Sequence, residues 1–193
     1  MMNNATCLKG LNLGCGEFKK EGYINIDICD RLEPDVVQDL NHFPYPIKSD
    51  SFKLIESDHS LEHLENPFMV MKELHRILVK DGRLIIRVPH FSRGFTHPDH
   101  KRGFDVTFPY YFNKEFKGGY TGVEFRLEKT RLTWFAQHYL KKTVLSKPVY
   151  YSSIVIGKLI DFFANISPSL CSRSWCFCVG GFEQIEFHFT AIK

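Results

Sequence analysis

Apolar residues fall into short compact runs in the first half of the chain and into alternating runs toward its end. Residues 8–13, 23–28, 36–38, 52–57 and 83–88 form short apolar-rich runs bounded by Gly, Asp or Pro, the pattern of parallel strands buried on both faces. Between the last two lies a helix. Asn66 is placed to cap it, Pro67 suits its first position, and Val70, Met71, Leu74, Ile77 and Leu78 recur on one face. Asp81-Gly82 is expected to end it, with Gly82 taking the left-handed conformation. A strand, a helix and a strand in this order predict a parallel α/β sheet. Residues 89–120 are rich in His, Phe, Tyr, Gly and Pro and read as irregular or short-helical. Residues 123–133 alternate as a strand, 151–164 read as a helix with Ile156, Leu159, Ile160 and Phe163 on one face, and 181–192 alternate again. That final run is expected to pair antiparallel with the strand before it.

Composition narrows the class. At 193 residues the chain suffices for one domain with a full core, and 44% hydrophobic with 24% charged residues is ordinary for a soluble globular protein. Residues 1–10 contain no apolar signal core, so a cytoplasmic location is expected. The stretch 154–163 is interrupted by Lys158 and Asp161 and is too short and charged to span a bilayer. It is expected to pack in the core, with docking at a membrane surface as the alternative. The six cysteines read as reduced thiols, and the spacing of Cys171, Cys176 and Cys178 is not a paired zinc pattern. Charge is divided unevenly: residues 1–82 hold nine Lys and Arg against fourteen Asp and Glu, the remainder sixteen against eight. The second half is therefore expected to face something anionic, whether a phosphorylated substrate, a nucleic acid or a membrane surface.

The chemistry begins at Leu11-Asn12-Leu13-Gly14-Cys15-Gly16, followed by Asp27. A strand ending in Gly-x-Gly can turn sharply and approach a ligand closely, and an acid at the next strand tip suits ribose hydroxyls. A phosphate-binding loop is excluded because no Lys-Ser/Thr follows Gly16. A nicotinamide dinucleotide is disfavoured because Glu17 would stand beside its pyrophosphate. From Gly14 to Asp27 is only 13 residues, so the first crossover helix must be cut to a turn or two.

Five pieces in order carry a specific resemblance. They are the glycine segment, Asn25-Ile26-Asp27, Asp39-Leu40 with Phe43-Pro44-Tyr45-Pro46 and Ser51-Phe52, Glu62-His63-Leu64, and the run from Leu74 to Leu84. Together, over residues 8–90, they resemble a class I S-adenosylmethionine-dependent methyltransferase of the small-molecule, type 11 kind. The resemblance implies an enzyme with a Rossmann-like, mostly parallel seven-strand-type sheet, helices on both faces, a shortened first helix and an antiparallel final strand. It implies a single domain over residues 1–193, in which 8–90 bind the cofactor and 91–193 face the substrate and close the sheet. Gly14, Cys15 and Gly16 would run beneath the methionyl part of S-adenosylmethionine, and Asp27, with Ile28 beside it, would accept from the ribose. Asp39 and Leu40 would border the adenine, and Ser57, Asp58 and His59 would line the methionyl side. The plainer reading of Asp39 is a cap for the segment from Asn41. His63 and His75 read as structural.

An oxygen or nitrogen acceptor must lose a proton, for which His is the usual group. Candidates concentrate just past the fifth strand: His90 and His100 as bases, Asp99 as orienting carboxylate, and Arg93, His97, Lys101 and Arg102 as contacts to a phosphate or carboxylate. Three His and an Asp there could also bind a metal, but acceptor chemistry does not demand one and none is assigned. The expected acceptor is a small anionic molecule, such as a sugar of a surface polysaccharide or a phosphorylated metabolite. The alternatives are an RNA or DNA methyltransferase and a non-catalytic cofactor-binding module. Amino-directed base methylators carry Asn/Asp-Pro-Pro-aromatic where this chain has Ser57-Asp58-His59-Ser60, so nucleic acid is the weaker partner. Peripheral membrane contact and a homodimer remain open.

Overall fold

The computed structural model describes residues 10–193. Cys7, Leu8 and Lys9, the last two part of the first expected strand, lie outside them. Seven strands form one sheet: β1 (Gly10–Leu13), β2 (Tyr23–Asp27), β3 (Val36–Val37), β4 (Phe52–Asp58), β5 (Leu78–Pro89), β6 (Glu124–Thr133) and β7 (Gln184–Ile192). Their order is β3-β2-β1-β4-β5-β7-β6. β1 to β5 pair in parallel, and β7 runs antiparallel to both β5 and β6. This is the expected mostly parallel sheet closed by an antiparallel final strand. No helix forms between β1 and β2; the crossover is reduced to turns.

Helix α1 (Pro67–Ile77) starts where its sequence requires. The Asn66 side-chain oxygen accepts from the amides of Phe68 and Met69 at 3.1 and 3.2 Å. Its end departs from expectation. The helix stops at Ile77, because the carbonyls of Arg76 and Ile77 accept from Asp50 and Ser51 and draw the chain into β5. The left-handed residue in the following turn is Asp81 (φ 60°), not Gly82.

The two faces of the sheet differ. On one, Leu84, Ile86 and Val88 of β5 sit opposite Phe189, Phe187 and Ile185 of β7. Phe108 and Phe112, from the irregular segment, pack onto Phe187 and Phe189, and Phe125 of β6 joins them. On the other face Arg87 stands opposite Glu186, and side chains near the missing crossover helix form ion pairs. Without a helix to bury it, that face carries charge.

A short helix α2 (His138–Lys141) precedes helix α3 (Lys147–Ala164), which is present but is not the core-packing helix anticipated. Of its residues only Tyr150, Gly157 and Ala164 are buried, and Ile156, Leu159, Phe162 and Phe163 are 48 to 67% exposed. It contacts the sheet at β6, the edge strand, where one sheet edge cannot cover both sides of an apolar helix. No described helix is long and apolar enough to cross a membrane.

Candidate active site

The carboxyl ends of β1, β2, β4 and β5 converge on a cleft. At the end of β1 the amides of Gly14 and Cys15 both donate to the carbonyl of Ile26, at 2.8 and 3.0 Å. This folds the chain back on itself at Gly14 (φ 65°), where a Cβ would lie 2.7 Å from the Cβ of Ser60. Gly16 also has a positive φ, 50°, but nothing lies within 4 Å of the position a Cβ would take. Its open side faces the cleft. The Asp27 carboxylate accepts from the Gly16 amide at 2.8 Å and from the Cys29 amide at 2.9 Å, so it fixes the glycine loop. With about four lone-pair sites it retains capacity for two further donors. Cys15 is buried, and desolvation, helped by the charge of Asp27, raises its thiol pKa.

A cavity of about 460 Å³ lies against Gly14, Cys15 and Gly16. Asp58, His59 and Arg87 close its floor, while Phe18 and Tyr139 meet edge to face at 5.8 Å on its rim. Burial pushes the Asp58 carboxyl up, but Arg87 at 2.6 Å and Lys20 at 3.0 Å outweigh it and hold the acid below its ordinary value. A second cavity, about 440 Å³, is lined by Glu62, His63, His97 and His100, with Arg93, Lys141 and Glu183 also in its wall. The two cavities share His59 and Gln137. Both are non-glycine residues in the left-handed region, φ 52° and 43°, a conformation retained at a cost of order 1 kcal/mol where function requires it. His59 Nε2 lies 3.0 Å from Gln184 Oε1, and its Nδ1 lies 3.3 Å from Glu62 Oε1. Burial lowers the His59 pKa, but Glu62 and Gln184 more than compensate, and it rises above its ordinary value. A larger cavity of about 810 Å³, near Lys129, Arg131 and Lys158, contains none of these groups.

Of the expected site residues, Ser57 and Leu40 are buried away from the cleft. Ser57 belongs to β4 and alternates with Asp58, so it faces the apolar layer, fully buried, while Asp58 faces the cleft. Leu40 is buried in the core. Asp39 caps the turn at Asn41, accepting from its amide at 2.9 Å, and pairs with His42 at 3.0 Å. Ile28 is 63% exposed beside Asp27.

His90 is not in either cavity. It is fully buried, and its two ring nitrogens bond Ser92 Oγ at 2.7 Å and Ser172 Oγ at 2.8 Å. Desolvation depresses its pKa to about 4. The Asp99 carboxylate is exposed, and His100 is oriented instead by the carbonyl of Gly94 at 2.6 Å. Lys101 pairs with Glu65, and Arg102 donates to the carbonyls of Leu64 and Glu65, so both clasp the loop to the segment after β4. Arg93 and His97 do line the second cavity. Glu62, Gln137, Tyr139 and Gln184 were not anticipated as site residues, and His63, read as structural, enters the cavity wall. His75 is structural, bonding the carbonyl of Ile192 at 2.9 Å.

Residues 11–86 match the family model described as a methyltransferase domain. The chain is similar in structure to a SAM-dependent methyltransferase from Archaeoglobus fulgidus, at 17% identity and a TM-score of 0.57, over 95% of this chain and 88% of that one. It is similar also to an S-adenosylmethionine-dependent methyltransferase from Mesorhizobium loti, at 12% identity and 0.52, over 95% and 92%. A third likeness, to the YcgJ protein of Bacillus subtilis, has 12% identity and 0.53, over 96% and 93%. At these identities the likeness is one of fold. No curated protein shows significant sequence similarity to the chain.

Proposed function

We propose, on the premise that residues 11–86 are a methyltransferase domain set in the fold of S-adenosylmethionine-dependent methyltransferases, that the chain methylates a small anionic acceptor held in the histidine-lined cavity. The observation that carries this reading is the junction. The glycine-loop cavity and the histidine cavity meet at His59 and Gln137, so a ligand in one lies beside a ligand in the other.

The residues of the first cavity fit the cofactor. Gly16 leaves open the space that a Cβ would fill, Asp27 keeps lone pairs for two ribose hydroxyls, and Ile28 offers an apolar ledge for a purine. Asp39, two residues past β3, would border the purine there. The backbone of Gly14, Cys15 and Gly16, with Asp58 and His59 lining the same cavity, would hold the methionyl part. S-adenosylmethionine supplies a sulfonium methyl already activated for attack by a nucleophile. Phe18 and Tyr139, paired across the rim, would narrow the mouth of the cleft over a bound cofactor.

In the second cavity Arg93 and Lys141 share Glu183 between them, which leaves N–H donors free for a phosphate or carboxylate. His59 stands at the junction with its two ring nitrogens facing Gln184 Oε1 and Glu62 Oε1, so it offers a proton-bearing, cationic side chain there. A sugar of a surface polysaccharide and a phosphorylated metabolite both suit this lining. Calorimetry with S-adenosylhomocysteine, then a methyl-release screen over glycosyl and phosphorylated acceptors, tests the reading. Absence of S-adenosylhomocysteine binding overturns it.

A specific observation extends the reading to partners. The exposed apolar face of α3 continues through Ile166, Leu170 and Phe177, and exposed Lys129, Arg131, Lys142, Lys147 and Lys158 occur on or near it. Apolar side chains among lysines and arginines suit an anionic membrane surface.

A further inference from the structure

The Glu62 carboxylate has no exposed surface, and neither of its oxygens has a hydrogen-bond partner. His59 Nδ1 is 3.3 Å from Oε1 but out of alignment for a hydrogen bond, and His100 Nε2 is 3.9 Å away. An ionised carboxylate buried without a donor is expensive unless a cation stands beside it.

The rings around it are prepared for such a cation. His63 Nδ1 lies 3.2 Å from the carbonyl oxygen of Asp99, and His100 Nδ1 lies 2.6 Å from that of Gly94. A carbonyl can only accept, so in both rings Nδ1 carries the hydrogen and Nε2 keeps its lone pair. One ligand atom from each of Glu62, His63 and His100 lies within 4.8 Å of the others. The Glu62 carboxylate, a ring nitrogen of His63 and Nε2 of His100 thus converge, with His59 Nδ1 beside the carboxylate. A backbone bond from the Lys101 amide to the Glu62 carbonyl, 2.9 Å, ties the two contributing segments together.

We infer that Glu62, His63 and His100 bind a divalent transition-metal ion in the wall of the second cavity. Two imidazoles and one carboxylate select zinc, manganese or iron(II) over magnesium and calcium, which take oxygen ligands. The carbonyls of Asp99 and Gly94 supply the outer hydrogen bonds that fix metal-binding histidines in the correct tautomer. Three protein ligands leave at least one position open toward the cavity, where a coordinated water or hydroxyl has a lowered pKa. This assignment of the ion stands on the cluster alone; its use in activating an acceptor rests on the function proposed above.

The test uses the full chain without a polyhistidine tag, stripped with chelator and titrated with Co²⁺ by absorption spectroscopy and with Zn²⁺ by calorimetry. One equivalent is expected to bind with a Co²⁺ spectrum of mixed nitrogen and oxygen ligation. Glu62→Gln and His100→Ala should each weaken uptake at least tenfold, whereas His188→Ala should not. Should Glu62→Gln fail to fold, His63→Ala replaces it. No uptake by the wild type, or undiminished uptake in the ligand variants, overturns the site. S-adenosylhomocysteine binding is measured in the same samples. Its retention without metal uptake removes only the metal site, and metal uptake without it removes only the proposed function.

Discussion

Asp27 shows how much one side chain can do at the tip of a strand. It holds the glycine loop through the Gly16 amide, holds its own turn through the Cys29 amide, and still has lone pairs for a ligand. Asp27→Ala should weaken S-adenosylhomocysteine binding by roughly 1–3 kcal/mol, the scale of hydrogen bonds to a charged group. Unchanged affinity by calorimetry would refute the pocket assignment. His90 is the contrasting case, because a histidine just past a parallel strand invites a catalytic reading and burial withdraws it. The unfolded chain protonates it below pH about 6.5, the folded chain only below about 4, since burial opposes its charge more than Asp105 favours it. Between those values the unfolded state binds more protons, so the contribution of His90 is present above 6.5 and lost as pH falls, by up to about 3 kcal/mol. Urea titrations between pH 4 and 7 should show this acid loss in the wild type and a shallower one in His90→Gln. Parallel profiles would count against it. The chemical type of each of these residues is plain in the sequence, but not whether its polar atoms meet solvent, ligand or a buried serine.

At the scale of elements, local chemistry fixes starts better than ends. The start of α1 follows from Asn66 and Pro67, whose effects reach only three residues. Its end depends on Asp50 and Ser51, more than twenty residues away in sequence, and no local signal reports them. The glycine loop is an element of the same kind. Gly14→Ala faces both a left-handed backbone and contact with Ser60, whereas Gly16→Ala projects into the open cleft. Gly14→Ala is therefore expected to lower the melting temperature by several degrees, with partial recovery in the double variant Gly14→Ala/Ser60→Gly. Gly16→Ala should cost about 1 kcal/mol of stability and more in cofactor affinity. Equal melting curves for the Gly14→Ala single and double variants would show that the Ser60 contact does not matter.

For the whole molecule, the uneven charge along the chain takes on meaning beside α3. The wild type should co-sediment with vesicles containing anionic phosphatidylserine and be released as salt rises, while Leu159→Glu/Phe163→Glu should stay in solution. A salt-insensitive dimer in place of vesicle binding would overturn the membrane reading and assign the same face to a second copy. By itself the sequence determined the parallel sheet, the glycine loop and the acid at the next strand tip, and the antiparallel last strand. These follow from periodicity and from residues acting on their near neighbours. The tertiary structure decided which polar groups meet: that Ser57 turns inward while Asp58 turns outward, that His90 is sealed, and that Glu62 stands among three histidines in the wall of the second cavity. Those outcomes depend on burial and on contacts across 30 to 125 positions of sequence, for example His59 with Gln184, and solvation and proximity arise only once the strands have been laid side by side.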